Sequence, residues 1–301
     1  MSISVLTLVK GRDEHLKNLM RALALQTVKP DELIIVFMQD NPIVNLPKLN
    51  FTVKTHHLSA DPLPLAAARN LAAAQASSEY LIFLDVDCIP SPTCISQYLF
   101  ALDQFHGVIM GDVRYLPKMS IEQPFDWKQL HERSVHHSER RKPPEQGLEP
   151  CDDFRCFWSL SFAMPKRIFE ISGGFDEDYV GYGAEDTDFG KKLSVQQISI
   201  AWCAGATVYH QFHTQHMPPV HQVSSILHNN RVYKRKWGTN TMEHWLGAFI
   251  GLGLIETTSD GDYVQLRSVN AEDLKITRQI DNMPYASTAD FMKRHSELSP
   301  G

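Results

Sequence analysis

Short apolar runs alternate with helical patterns over the first part of the chain, and this alternation restricts the fold more than any other feature of the sequence. Strands are predicted for Ile3–Val9, Glu32–Phe37, residues 51–58 and Tyr80–Leu84. Helices are predicted after Asp13 and over the alanine-rich residues 63–76. Strands that alternate with helices are typical of α/β proteins, in which helices cover both faces of a mostly parallel sheet.

The rest of the chain continues this pattern less regularly. Further strands are predicted for residues 107–115, 157–164 and 198–210. Residues 131–150 are polar and contain prolines, so we expect a mobile loop of a length that is typical of lids. Residues 218–255 are predicted to be helical, and the residues after 255 are expected to be irregular.

The length of 301 residues allows one continuous core with an appended segment. We predict an α/β domain over residues 1–215, with halves over residues 1–115 and 116–215. A helical or irregular extension is predicted over residues 216–301.

Charge and cysteine content limit the partners and the compartment. The formal net charge of −6 offers no basic surface for nucleic acid, which is therefore not expected as a partner. The five cysteines show no paired C-x-x-C spacing, so we expect reduced thiols and a cytoplasmic location.

Membrane contact is expected to be peripheral at most. The chain runs from Met1 into a strand without an apolar leader. Residues 245–255 are apolar but too few to span a bilayer, which requires about 20 residues. Residues 231–237 (RVYKRKW) suit a membrane or acceptor surface, although a solvated helix face is the more common role of such a stretch.

Two acids follow the predicted strand Tyr80–Leu84 directly. Asp85 and Asp87 would lie at the carboxyl end of this strand, where parallel sheets bind their ligands. Carboxylate oxygens in that position suit Mg²⁺ or Mn²⁺ held together with a diphosphate. Acids spaced in this way also occur in solvated turns, so the pair alone leaves both interpretations open.

Two histidines are placed in a similar way, at or just after the end of another predicted strand. His210 ends the predicted strand over residues 198–210, and His213 comes shortly after it. Either imidazole would add a nitrogen ligand to a metal site, and nitrogen favours Mn²⁺ over Mg²⁺. The chain has 14 histidines, so a packing or surface role is an open alternative for both.

A glycine-rich segment precedes a second acidic pair, Glu185 and Asp186. Gly181 and Gly183 allow the backbone to approach a ligand closely, and Tyr182 lies between them. Acids are favoured at the start of a helix in any case. Helix capping does not explain the flanking glycines and aromatic residues, so one of these acids is a candidate catalytic base.

Basic residues accompany both acidic pairs. Lys10 and Arg12 follow the first strand and are placed to contact a phosphate or a nucleotide base, unless they are merely solvated. Arg69 and Asn70 lie in the helix before the Asp85 strand, where a partly exposed ion pair is an equally good explanation.

Three blocks in this order resemble the GT-A fold glycosyltransferases of the family 2 group, with a second half similar to that of β-1,4-galactosyltransferases. The blocks are VKGRDEHL from residue 9, DVDCIP from residue 85, and GF followed by GYGAEDTD within residues 174–188. The resemblance covers roughly residues 3–215, and three ordered blocks are more specific than any single one. It implies a GT-A fold, a UDP-sugar donor, a divalent cation (Mn²⁺ or Mg²⁺) and inverting transfer of a hexose.

The resemblance also implies roles for individual residues. Asp87 and His210 would bind the metal, with His213 as a reserve ligand, and Asp186 would be the catalytic base. The predicted donor-binding residues are Thr7, Lys10, Arg12, Arg69 and Asp85. The predicted acceptor-binding residues are Tyr182, Gly183 and Glu185. Residues 1–115 would then form the nucleotide-sugar half and residues 116–215 the acceptor half.

The chain departs from the animal galactosyltransferases at some positions. Thr187 replaces a third consecutive acid, Ala184 replaces a glycine, and no membrane anchor is expected ahead of the first strand. The resemblance therefore predicts neither the donor sugar nor the acceptor or linkage.

The predicted function is metal-dependent, inverting transfer of a hexose from a UDP-sugar to a hydroxyl of a glycan, glycolipid or related acceptor. Two other classes fit part of the pattern. A phosphohydrolase of the HAD-like type would use an aspartate of the Asp85-Val86-Asp87 motif as nucleophile and release phosphate from simple phosphomonoesters. A non-catalytic carbohydrate-binding protein would bind sugar without turning over a donor.

Overall fold

A nine-stranded mixed sheet forms the centre of the protein. The computed structural model describes residues 1–41, 43–279 and 287–298, with side chains up to residue 294. The strands of the sheet are β1 (Ile3–Val9), β2 (Glu32–Phe37), β3 (Thr52–His57), β4 (Tyr80–Leu84), β5 (Cys88–Pro90), β6 (Val108–Tyr115), β7 (Leu148–Cys151), β8 (Ser161–Pro165) and β9 (Ile200–His210). Their order is β3-β2-β1-β4-β8-β6-β9-β5, and β7 pairs with β9.

Six of the nine strands run in the same direction. β1 is parallel to β2 and β4, and β2 is parallel to β3. β8 is antiparallel to both β4 and β6, and β6 is parallel to β9. β5 and β7 are antiparallel to β9. The predicted α/β class with a mostly parallel sheet is confirmed.

Helices cover both faces of the sheet. They are α1 (Asp13–Ala24), α2 (Leu65–Gln75), α3 (Cys94–Gln104), α4 (Trp127–Arg133), α5 (Lys166–Ser172) and α6 (Glu185–Val195). Leu16 of α1 and Tyr98 of α3 belong to one apolar core, while Ala72 of α2 and Phe189 of α6 belong to a second. Because β1 and β2 are buried along their whole length, they read as continuous apolar runs in the sequence.

The edge at which β1, β4, β6 and β9 end positions the functional residues. In the pairing of β6 with β9, Tyr115 lies opposite His210. In the pairing of β5 with β9, Cys88 lies opposite the same histidine. The chain that leaves β4 through Asp85 and Asp87 is thereby fixed beside the end of β9.

The segment between β6 and β8 is more regular than predicted. The predicted loop over residues 131–150 begins within α4 and ends in β7, and Val135 forms a bridge to Tyr115. The predicted strand over residues 157–164 begins later, at Ser161, because a 3₁₀ helix (Phe154–Cys156) and a turn precede it.

Residues after the sheet fold against the region that precedes α6. They form α7 (Val223–Trp237), α8 (Glu243–Gly251), β10 (Ile255–Thr257), β11 (Tyr263–Gln265), α9 (Ala271–Thr277) and α10 (Thr288–Leu298). A third apolar core joins α7 and α8 to Tyr179 and Ala184. The expected helical extension is present, and the described part after residue 255 holds a hairpin and two helices where irregular chain was expected. The boundary near residue 215 stays a prediction.

The aromatic and basic stretch over residues 231–237 packs in part against the rest of the protein. Tyr233 is buried, and Trp237 and Lys236 both contact the buried Asp188. No helix in the described part of the chain combines the length and the apolar character that a membrane span requires.

Candidate active site

Asp85 and Asp87 follow β4 in a tight turn. The backbone N–H of Cys88 donates to the carbonyl of Asp85 over 2.9 Å, which closes the turn. The carbonyl of Asp87 accepts from the backbone N–H of Gln211 over 2.7 Å. This bond ties the acidic turn directly to the residue after His210. The side chain of Asp85 is partly exposed, whereas that of Asp87 is buried.

Asp87, His210 and His213 form a cluster with the dimensions of a metal site. One ligand atom from each residue lies within 4.8 Å of the others. The Nε2 atom of His213 is 3.6 Å from Oδ2 of Asp87, and Oδ1 of Asp87 is buried without a hydrogen-bond partner among the described residues. A buried carboxylate oxygen beside two imidazoles suits a cation such as Mn²⁺. The structure therefore places the reserve ligand His213 together with both predicted ligands.

Electrostatics keep both histidines in the form that can bind a metal. Burial, and then the positive charge of Arg12, lowers the pKa of His213 to about 3. Burial and the neighbouring His213 lower the pKa of His210 well below its usual range. Both imidazoles are therefore neutral at physiological pH, so their nitrogen lone pairs are available.

Arg12 supplies a positive charge at this cluster. Its guanidinium forms an ion pair with Asp87, and its Nη2 is 3.4 Å from Nδ1 of His213. The backbone of Arg12 is left-handed, with φ 60°, where the chain enters α1. His15, one turn later, has its Nε2 3.8 Å from Oδ1 of Asp87 and was not among the predicted site residues.

The other predicted donor-binding residues of β1 differ in exposure. Lys10 is exposed just after β1, close in sequence to Arg12. Thr7 is buried within β1, and its Oγ1 atom has no hydrogen-bond partner in the part of the chain that the structure describes. Donor contact by these residues stays a prediction.

Arg69 joins the two acidic motifs. Its Nη1 donates to Oε1 of Glu185 over 3.1 Å, and its Nη2 is 3.6 Å from Oδ1 of Asp85. The side chain of Arg69 is 5% exposed and that of Glu185 is 9% exposed, so this pair is buried, whereas the sequence left open a partly exposed pair. Burial alone would lower the pKa of Arg69, but Asp85 and Glu185 raise it above its usual value.

Asp186 is the acid in this network that is suited to accept a proton. Burial, and then the negative charge of Glu185, raises the pKa of Asp186 to about 7. Its Oδ1 accepts from the backbone N–H of Thr187 over 2.7 Å. Glu185 is buried and engaged by Arg69. A carboxyl group whose pKa lies near neutrality is a suitable general base.

The glycine-rich loop before α6 packs tightly against the C-terminal helices. A Cβ atom on Gly181 would lie 2.2 Å from Oγ of Ser225, so only glycine fits there. Tyr182 is 42% exposed, and its ring stacks on that of Trp245 with centroids 5.6 Å apart. An exposed aromatic ring beside Asp186 is suited to contact a sugar, and acceptor binding by Tyr182, Gly183 and Glu185 stays a prediction.

Substituting Gly183 by alanine is expected to destabilise the protein by about 1–3 kcal/mol, since its φ of +93° is strained for any other residue. The new Cβ would also lie 2.8 Å from Sδ of Met242. Gly247→Ala is the matched control, because this helical glycine has nothing within 4 Å and alanine favours helices. Thermal unfolding measures both; equal stability of the two variants would contradict the prediction.

Two buried residues hold this region: Asn229, which escaped the sequence analysis, and Asp188, which was considered there only as one of the acids at the start of a helix. The Asn229 side chain donates to the carbonyl of Gly183 over 2.7 Å and accepts from the N–H of Val180 over 3.1 Å. Asp188 accepts from Nζ of Lys236 over 2.9 Å and from Nε1 of Trp237 over 2.7 Å. Asp188 therefore anchors α6 to α7. For Asn229, the available signal was an asparagine at a buried position of a predicted helix, but the sequence does not show which groups its side chain contacts.

Similar proteins of known name are glycosyltransferases and polysaccharide synthases. The chain is 24% identical over 227 residues to validoxylamine A glucosyltransferase from Streptomyces hygroscopicus subsp. limoneus, with 65% of this chain and 48% of that protein covered. It is 26% identical over 170 residues to chondroitin synthase from Escherichia coli, with 49% of this chain and 25% of that protein covered. The chain thus spans half or less of the length of these relatives.

Solved structures share the fold. S. aureus TarS (residues 1–349) matches with a TM-score of 0.55 and 16% identity, over 83% of this chain and 69% of that one. GalNAc-T7, solved with UDP, GalNAc and Mn²⁺, matches with a TM-score of 0.52 and 14% identity, over 70% of this chain and 43% of that one. These likenesses confirm the predicted GT-A fold.

Two family models match the chain in the order that the resemblance implied. The N-terminal domain of galactosyltransferase matches residues 148–217, which include the glycine-rich loop, Asp186 and both histidines. The model of glycosyl transferase family 2 matches residues 4–169, which is more than half of the chain and includes Asp85 and Asp87. The chain therefore belongs to glycosyl transferase family 2.

Proposed function

We propose that this chain is a metal-dependent, inverting hexosyltransferase that uses a UDP-sugar donor and a carbohydrate or glycolipid hydroxyl as acceptor. The observation that carries the proposal is the buried bridge from Asp85 through Arg69 to Glu185, because it joins the acidic turn after β4 to the start of α6. In this proposal, the leaving-group site and the base would thereby lie beside each other. TarS has been solved with UDP and with UDP-GlcNAc, which supports this donor class.

Asp87, His210 and His213 would hold the cation, Mn²⁺ or Mg²⁺, and the two nitrogens favour Mn²⁺. A bound cation would offset the charge that develops on a departing diphosphate. Arg12 contributes a fixed positive charge at the same place. Following the resemblance, Asp85 would contact the ribose of the donor.

Asp186 would act on the acceptor. The acceptor oxygen forms a bond to the anomeric carbon while the bond from that carbon to the phosphate oxygen of UDP breaks. The hydroxyl proton passes to the carboxylate of Asp186, which must lie within about 3 Å of the acceptor oxygen. Attack from the face opposite to UDP inverts the anomeric configuration. Tyr182 and Gly183 would form the wall against which the acceptor lies.

Neither alternative class has a supporting observation. A phosphohydrolase needs a free aspartate nucleophile, whereas Asp87 is paired with Arg12 and Asp85 lies next to Arg69. A binding protein has no use for a carboxyl group with the raised pKa of Asp186.

A panel of UDP-sugars tests the proposal, with UDP release measured with Mn²⁺, with Mg²⁺ and with a chelator. We expect metal-dependent release from at least one UDP-hexose, faster when sugar acceptors are present. Release of phosphate from a phosphomonoester, or no release from any donor in the panel, would contradict the proposal.

The rate of transfer is expected to rise with pH through about 7. Asp186 must be deprotonated to accept a proton, so below its raised pKa the value of kcat/KM should fall about tenfold per pH unit. The histidines of the cluster titrate far below this range and do not account for the change. Measurements between pH 5.5 and 8.5 at saturating Mn²⁺ check this; a profile that stays flat down to pH 5.5 would exclude Asp186 as the titrating base.

A further inference from the structure

Arg140 is a buried cation that the proposed reaction does not use. Its side chain lies between the rings of Trp202 and Trp158, with its Cζ atom 5.0 Å and 5.6 Å from the two ring centroids. The residue is 8% exposed, and Nε, Nη1 and Nη2 are all buried without a hydrogen bond of normal geometry to any described residue. The indole Nε1 of Trp202 is also buried and unpartnered. Three guanidinium nitrogens and one indole nitrogen are thus collected in one place, and no carboxylate among the described residues pairs with any of them.

The acidic groups nearby are engaged elsewhere. Asp112, which lines the same crevice, has its Oδ1 2.9 Å from Nε2 of His136 and accepts at Oδ2 from Oγ1 of Thr207 over 3.3 Å. Glu149 forms an ion pair with Arg141 at the surface. Hydrogen-bond donors therefore outnumber the available acceptors around Arg140.

Solvent and the aromatic rings do not balance this charge. The crevice around Arg140 is narrow in this conformation, so a water molecule or an anion enters it only when the lining side chains move apart. Contact with two aromatic faces attracts a guanidinium, and the hydroxyl of Tyr115 also interacts with it, but neither the rings nor a neutral hydroxyl brings a negative charge to Arg140. A buried charge without a partner strongly opposes folding. Consistent with an unbalanced positive charge, burial and Arg140 together lower the pKa of the adjacent His137 to about 4.

We propose that this crevice binds one anionic group, a phosphate or a carboxylate, between Arg140 and Trp202. The planar guanidinium can donate two parallel hydrogen bonds to such a group, and the Trp202 indole can donate a third. Arg141 lines the crevice with a side chain that is 51% exposed, so its movement opens the way in. The ring of Tyr115 lies between His137 and His210, with centroids 5.5 Å and 4.8 Å away, so the crevice and the metal cluster share a wall.

Thermal unfolding with and without inorganic phosphate tests the proposal, in buffer free of metal and nucleotide. Phosphate at about 100 times its dissociation constant is expected to raise the Tm of the unaltered chain by roughly 5 °C. Arg140→Met should lose this rise, while the matched variant Arg141→Met should retain it. No rise in the unaltered chain, or an equal rise in Arg140→Met, would overturn the proposal.

The Tm without phosphate gives an independent readout. If Arg140 is the anion-binding group, its charge is unbalanced when phosphate is absent. Arg140→Met removes that charge, so the variant should unfold at the same or a higher temperature than the unaltered chain. If the two tryptophans alone satisfy Arg140, the variant should unfold at a lower temperature, and that result would overturn the proposal. Arg140→Lys is a second variant in case Arg140→Met fails to fold. Lysine keeps the positive charge but lacks the planar guanidinium that donates two parallel hydrogen bonds, so we expect it to bind phosphate at least tenfold more weakly. Unchanged binding would overturn the proposal.

The source of the anion follows from the same assay. A shift with inorganic phosphate or acetate as large as with a hexose phosphate would identify a free anion as the ligand. A much larger shift with the hexose phosphate, lost in Arg140→Met, would identify an anionic group carried by a sugar. Both results support an anion site at Arg140.

Discussion

Replacing Asp186 by asparagine is expected to lower the rate of sugar transfer by about 10²- to 10⁴-fold, the contribution that is typical of a general base. Asparagine keeps the shape of the side chain but cannot take up the acceptor proton. The acceptor oxygen would then have to attack while still protonated. Binding of UDP and Mn²⁺ should be unchanged, because Asp87, His210 and His213 are untouched.

Transfer is measured by product formation, and UDP binding by calorimetry in the presence of Mn²⁺. Asp178→Asn is a suitable control, because this acid of the same region is exposed and its carboxylate forms an ion pair with the exposed Arg235 over 3.6 Å. We expect near-normal turnover for the control. Full turnover by Asp186→Asn would remove Asp186 from the role of base and leave the catalytic base unassigned.

Replacing Asp87 by alanine is expected to weaken metal-dependent UDP binding by at least about 100-fold. This substitution removes the carboxylate of the cluster, and even the loss of groups that only support metal ligands costs 10- to 100-fold in many metal sites. It also leaves the guanidinium of Arg12 without its ion-pair partner Asp87. Donor turnover should fall to the level that is seen with a chelator.

Titration with Mn²⁺ and UDP, separately and together, measures the effect of Asp87→Ala. Asp103→Ala is the control, since Asp103 is exposed on α3. The substituted protein should bind UDP with the same weak affinity whether or not Mn²⁺ is present. A Mn²⁺ titration indistinguishable from that of the unaltered chain would show that Asp87 is not a metal ligand.

The order of elements was predictable because each strand and helix is encoded locally. β1, β2 and β4 follow from continuous apolar runs, and α2 from its run of alanines. The hairpin of β10 and β11 was missed, since strands of three residues are too short to show an alternating pattern. The late start of β8 was missed because Phe157 is apolar and buried without belonging to a strand.

The candidate site was predictable where acids directly follow a strand or open a helix. Asp85, Asp87 and Asp186 stand at such positions, and the family resemblance gave each of them a role. Their metal, donor and acceptor roles remain predictions for experiment. Partners that come from distant parts of the chain were less accessible: Arg69 was considered as a donor-binding residue or as part of a partly exposed ion pair, and Asn229 was not considered.

The sequence by itself determined the class of fold and the positions of the acids, because burial patterns and strand ends are local properties of the chain. The tertiary structure decided which of these groups meet. Antiparallel pairing of β5 with β9 sets Cys88 opposite His210, and so brings Asp87 to both histidines. Packing of α2 beneath the site lets Arg69 bridge Asp85 and Glu185. Such contacts depend on the order of strands across the sheet and on how helices pack on it, and no local pattern of residues encodes either.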